Sequence, residues 1–162
     1  MKPKIVTIGV YGFEKNAFFQ ALQDARIDVF CDIRRRRGMR GSLYAFANSA
    51  HLQKQLDELG IRYMHIKDLA PGEEIRHRQK QEDKKLKIAK RTRTALGEAF
   101  IQDYEQECLS TFDSMEFLKG LGQDIRVIGL FCVERDPEAC HRSLVARKLA
   151  QDLGLAVEHI RP

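Results

Sequence analysis

The sequence has no tryptophan, only four prolines in 162 residues and 8% aromatic residues. No run of about 18 apolar residues occurs, so no segment is expected to cross a bilayer as a helix. The opening residues, Met1-Lys2-Pro3-Lys4-Ile5-Val6, are too short and polar a stretch for a signal peptide, which points to a cytoplasmic protein. Its four cysteines are then expected as thiols. No internal repeat or low-complexity tract is present. Several reaction signatures are missing too. There is no Cys-x-x-Cys pair, no Walker loop and no serine-centred elbow. Gly9 and Gly12 make a Gly-x-x-Gly, not the Gly-x-Gly-x-x-Gly of a dinucleotide site. The cysteine phosphatase loop needs an arginine six positions after its cysteine, but Glu138 and Ala146 follow Cys132 and Cys140 at that spacing. No nicotinamide, flavin or other cofactor is expected.

What is present suits one globular domain over residues 1–162. Apolar residues make up 43% and charged residues 31%, and the chain is long enough for a sizeable core. The net charge of +5 is unevenly placed. Residues 34–40 hold five arginines and no acid, and residues 76–93 hold nine basic residues against Glu82 and Asp83. The rest of the chain is therefore net acidic, by seven charges. Two basic segments on an acidic body point to a phosphate-bearing partner, either a small molecule or nucleic acid. Neither segment interleaves aromatics, so contact is expected with the phosphate backbone and not with stacked bases.

Short apolar runs alternate with helical periods, which predicts an α/β fold. Strands are expected at Ile5–Val10, Val29–Ile33, Ile61–Ile66, Ile125–Val133 and Ala156–Ile160. Helices are expected over Phe13–Arg26, from an Asn48 or Ser49 cap to Gly60, and from Asp136-Pro137 to Gly154. A polar helix over 73–93 and one or two helices over 94–120, broken near Ser110, form an insertion. The expectation is a Rossmann-like three-layer sandwich: a mostly parallel five-stranded sheet with helices on both faces.

In such sheets ligands bind beyond the carboxyl ends of the strands. That rule selects Asp32, Arg34, Cys132, Glu134, Cys140, His141 and Arg142. A thiol beside a helix start, near arginine or histidine, has the surroundings of a nucleophile. Cys140 and Cys132 are the candidate nucleophiles, and Asp32, Glu134 and His141 the candidate proton carriers. Arg34 and Arg142 have the guanidinium fork that binds phosphate or carboxylate, and Ser143 and Tyr11 lie beside them in this reading. The alternative role for both arginines is pairing with Asp32 or Glu134. Arg35, Arg36, Arg37, Arg40, Lys84, Lys87 and Arg91 are the candidate contacts to nucleic acid. No metal site is expected, because neighbouring residues 140 and 141 diverge by about 100° if both lie on a helix, and the close cysteine pairs of structural zinc sites are absent.

Thr7-Ile8-Gly9, Asp32-Ile33-Arg34, Leu59-Gly60-Ile61-Arg62-Tyr63, Leu130-Phe131-Cys132-Val133-Glu134, Asp136-Pro137 and Cys140-His141-Arg142-Ser143 occur in this order. Together they resemble domain-of-unknown-function family 488 over nearly the whole chain. The resemblance implies a Rossmann-like α/β domain and points to the same strand-end residues, but supplies no reaction. Two departures stand out: Val10-Tyr11 follows Gly9, and Arg35-Arg36-Arg37 follows the Asp-x-Arg. The reading is an enzyme acting on a phosphate-bearing substrate through a Cys/His/Arg cluster. The alternative is a non-catalytic nucleic-acid-binding protein using the segments 34–40 and 76–93.

Overall fold

A computed structural model describes the backbone of residues 1–162 and every side chain except that of Arg91. Five strands form one sheet: β1 (Lys4–Gly9), β2 (Val29–Asp32), β3 (Arg62–His65), β4 (Val127–Cys132) and β5 (Val157–His159). Their order is β3-β2-β4-β1-β5, and every pair is parallel. The central strands bury nearly every residue, which is why they read as unbroken apolar runs.

Helices α1 (Lys15–Asp24) and α2 (Ser49–Glu58) link β1, β2 and β3. Helices α3 (Glu73–Lys85), α4 (Glu98–Tyr104) and α5 (Ser114–Leu121) lie between β3 and β4, and α6 (His141–Leu153) joins β4 to β5. Right-handed crossovers place α1 and α2 on one face of the sheet and the returning helices on the other. On the first face Phe18 of α1 meets Phe30 of β2 and Phe131 of β4 in edge-on contacts of 6.5 and 5.7 Å. On the second, α6 packs against β1, β4, α4 and α5.

Two helix boundaries and one cap differ from the sequence expectation. The polar helix stops at Lys85, not at 93, because Lys87 takes a left-handed φ of 55°. Asn48 precedes α2 without capping it; its side-chain oxygen accepts from the Met39 N–H instead. Asp136-Pro137 opens only a 3-10 turn, Pro137–Ala139, and α6 starts four residues after Pro137, at His141. Gly154 does close α6, in the left-handed conformation at φ 66°.

Helix α3 has little apolar surface and is held by a buried polar stripe. Ile75, Gln79 and Asp83 recur every fourth residue and face inward. Gln79 donates to Asp83 at 2.8 Å and accepts from the Gly97 N–H at 2.8 Å.

Gly9, at the end of β1, packs directly against the later chain. A Cβ there would lie 1.8 Å from the Glu134 carbonyl oxygen and 2.9 Å from an Arg142 nitrogen. Gly9→Ala is therefore expected to lower unfolding free energy by at least about 2 kcal/mol in urea titrations. A wild-type midpoint and slope would show that the strand end relaxes freely.

Candidate active site

The site lies where strand order reverses. From β2 the chain moves outward to β3, and from β4 it moves the other way to β5. The carboxyl ends of β2 and β4 are adjacent at this switch point, the position at which open α/β sheets bind ligands.

Strand β4 ends at Cys132, and the next residues turn across β1. The Val133 carbonyl accepts from the Val10 and Tyr11 N–H groups at 3.2 and 3.0 Å. The Glu134 and Arg135 carbonyls then accept from Arg142 at 2.6 and 3.1 Å, and Arg142 Nε reaches Thr7 Oγ1 at 3.4 Å. Arg142 is fully buried. Its donors face the turn that carries Glu134, so it holds that turn in place.

Cys140 precedes α6 in an extended conformation, with φ −136° and ψ 146°. Two adjacent helical residues diverge; an extended residue followed by the first helical one need not. The sulfurs of Cys132 and Cys140 and Nδ1 of His141 lie within 4.8 Å of one another. His141 Nδ1 is 3.7 Å from each sulfur. The premise against joint ligation by 140 and 141 is thus corrected: Cys140 is not helical. His141 Nε2 lies 3.0 Å from the Ile33 carbonyl oxygen at the end of β2. A carbonyl only accepts, so Nε2 carries a proton and Nδ1 is the nitrogen turned to the sulfurs.

Glu134 lies beside this set, with Oε2 3.4 Å from Cys132 Sγ. Its Oε1 accepts from Arg93 at 3.0 Å, and Lys90 Nζ is 3.8 Å away. Arg93 also donates to Asp83 at 2.8 Å and to the Ala139 carbonyl at 3.0 Å. The connection between α3 and α4 is thereby tied over the carboxylate. The Tyr104 ring packs edge-on to His141 at 5.4 Å.

The two thiols are electrostatically unlike. Burial pushes Cys132 well up, and the neighbouring Cys140 and Glu134 add to that. Burial would raise Cys140 as well, but the Cys132 S–H, His141 and Arg142 outweigh it and hold Cys140 well below its ordinary value. Burial opposes charge on His141, yet Cys140 raises it. Burial, then Cys140, raises Glu134 against the opposing pull of Lys90, Arg93 and His141. Cys31, an apolar strand cysteine without such partners, is pushed up to about 12 by burial.

The expected cluster divides between the two faces of the sheet. Cys132, Glu134, Cys140 and His141 come together on the α6 face. Asp32 does not join them. It has the same strand parity as Phe30, which faces α1, and its carboxylate accepts from Arg34 at 2.9 and 2.8 Å and from Tyr63 at 2.7 Å. Arg34 also donates to the Ala47 carbonyl at 2.9 Å and lies 4.7 Å above the Phe131 ring. Both residues are almost fully buried, so the pair joins β2 to the start of α2. The alternative role foreseen for Arg34, pairing with Asp32, is the one observed. Arg142 takes its partners from backbone carbonyls and Thr7, not from the carboxylates of Asp32 or Glu134.

Ser143 donates to the Cys140 carbonyl at 2.9 Å, which closes the first turn of α6. Tyr11 is partly exposed and packs on Tyr44 at 5.2 Å. Arg35, Arg36, Arg40, Lys84 and Lys87 are exposed, and half-buried Arg37 donates to Tyr63 at 3.4 Å. Arg91 was expected to contact phosphate; its side chain lies outside the described residues. Arg93 belongs to the basic run but is buried against two carboxylates, and no spacing in the sequence separates it from its neighbours. The Ile33 carbonyl carried no signal either, because orientation of an imidazole by backbone depends on topology.

Arg34→Met leaves the Asp32 carboxylate buried without its cation. Its expected cost is about 3–5 kcal/mol in equilibrium urea unfolding. A change below about 1 kcal/mol would mean that the pair behaves as a solvent-screened surface bridge.

No curated protein and no solved structure matches the chain. One family model does, over residues 15–149, which takes in β2, β3, β4, the entire cluster and most of α6. The protein therefore belongs to the family described as domain of unknown function DUF488.

Proposed function

We propose that this protein is an enzyme acting on a phosphate-bearing substrate, with Cys132, Glu134, Cys140 and His141 as its reaction centre. One observation carries the reading: two thiols, an imidazole and a carboxylate from the end of β4 and the start of α6 converge, buried, at the switch point of a parallel sheet. Such a concentration of reactive groups is costly to bury for structure alone. Glu134 is the group placed to move a proton. Arg142, Arg34 and Asp32 are positioning residues that hold the strand ends.

The substrate class follows from the surroundings. Arg35, Arg36 and Arg40 follow β2, and Lys84, Lys87 and Lys90 follow or end α3, all exposed. Burial and the like charges of Arg35 and Arg36 depress Arg76 below its ordinary range, with Glu73 opposing them. Crowded guanidinium groups gain from a phosphate between them. The same basic rim supports the second reading, non-catalytic binding of nucleic acid through 34–40 and 76–93.

The test incubates the full chain with nucleoside mono-, di- and triphosphates and with short single- and double-stranded oligonucleotides, and reads products by mass spectrometry. At least one is consumed, and Cys140→Ser and Glu134→Gln each lower turnover by about 100-fold or more while keeping the wild-type circular dichroism. A panel left intact, or wild-type turnover in both variants, contradicts the enzyme reading. If oligonucleotides are bound but unchanged, and affinity falls steeply with salt, the binding reading replaces it.

A further inference from the structure

We infer that Cys132, Cys140 and His141 form a binding site for one soft or borderline divalent cation of the zinc type. This goes beyond the enzyme reading and stands on the geometry of the cluster alone. Tetrahedral zinc with Zn–S near 2.3 Å and Zn–N near 2.0 Å separates a sulfur from a nitrogen ligand by about 3.5 Å, and two sulfurs by about 3.8 Å. His141 Nδ1 stands 3.7 Å from both sulfurs, and all three atoms lie within 4.8 Å of one another. The two nitrogen–sulfur separations exceed the tetrahedral value by only about 0.2 Å, and the sulfur–sulfur separation by at most about 1 Å.

Three further features belong to metal sites. The donors are two thiolate sulfurs and an imidazole, the set that zinc favours over hard cations. The second imidazole nitrogen faces a backbone carbonyl, Ile33 O, at 3.0 Å, which leaves Nδ1 as the donor nitrogen and fixes the ring plane. The ligand atoms are also shielded from bulk solvent, since all three residues are at most 5% exposed. Two thiolates on a divalent ion sum to zero charge, so occupation adds no net charge to the buried cluster.

Among the described residues three ligand atoms converge, which leaves a fourth position. Structural zinc sites fill all four places with protein, whereas catalytic ones keep one for water or substrate. Glu134 Oε2, 3.4 Å from Cys132 Sγ, is the carboxylate beside that set. Held by Arg93 and Lys90, it is positioned to accept a proton from an ion-bound water. The Cys-x-Glu strand end and the Cys-His helix start of this sequence thus form one unit: three ligands and one proton acceptor.

The test is metal content, read without reference to activity. The full chain is purified without chelator, equilibrated with zinc and desalted, and zinc is counted by native mass spectrometry. About one zinc per chain is expected, reduced about tenfold or more in Cys132→Ser and in Cys140→Ser. Because either variant could fail to fold, the wild-type chain is also loaded with cobalt, where sulfur-to-cobalt charge-transfer absorption is expected in the near ultraviolet. Zinc below about 0.1 per chain with no charge-transfer band overturns the inference. So does zinc retained at the wild-type level by both variants. Zinc at full occupancy with no substrate consumed would contradict the enzyme reading alone; a chain that consumes substrate yet takes up no zinc when equilibrated with it would contradict the metal site alone.

Discussion

The burial of one guanidinium group sets the shape of the strand-end edge. Arg142 is fully enclosed, and its hydrogen-bond partners are the backbone carbonyls of Glu134 and Arg135 and the Thr7 hydroxyl. A buried cation must be fully hydrogen-bonded or it destabilises the fold. The chain after β4 therefore bends over Gly9 to bring its carbonyls within reach, and only glycine at position 9 leaves room for that bend. The same bend turns the Glu134 side chain back toward Cys132. From there the chain re-enters through a short 3-10 turn, and Cys140 arrives extended, next to His141. The contact between β2 and α6 is completed when His141 meets the Ile33 carbonyl.

This arrangement gives the two faces of the sheet different roles. On the α1 face, Asp32, Arg34 and Tyr63 form a closed ion-pair network against Phe131. Every member has protein partners, and the network ties β2, β3 and the start of α2. On the α6 face, the sulfurs and the imidazole nitrogen turn toward one another, with a carboxylate at their side. Charge is supplied from outside the sheet by Arg93 and Lys90, which reach in from the helical insertion. The insertion is thus more than a departure from the strand–helix rhythm. Its α3–α4 connection closes over Glu134, and its Arg76 lies close enough to Arg35 and Arg36 to feel their charge.

Strand positions and the parallel sheet were legible because buried parallel strands leave unbroken apolar runs, as in Ile5–Val10 and Ile125–Val133. The strand-end rule then picked out Cys132, Glu134, Cys140 and His141. It could not separate them from Asp32 and Arg34, because side-chain parity decides the face and is fixed only once the register is known. The relation of Cys140 to His141 was hidden for a different reason. Asp136-Pro137 has the signature of a helix start, yet the backbone makes a single tight turn there and begins α6 later. Those four residues decide whether Cys140 lies on the helix or before it, and so whether two adjacent side chains can share one ion. Arg93 was concealed within a basic run, where composition suggests solvent, while Asp83 and Glu134 draw it inward.

Two parts of the account, the metal-ready set and the adjacent carboxylate, meet in one place, the space between Cys132, Cys140 and His141. The most direct measurement is a crystal structure of the zinc-equilibrated chain with data collected on both sides of the zinc absorption edge. The account predicts one anomalous peak, about 2.3 Å from each sulfur and about 2.0 Å from His141 Nδ1, with Nε2 still on the Ile33 carbonyl. An ordered, reduced cluster with no anomalous density between those three atoms would contradict it.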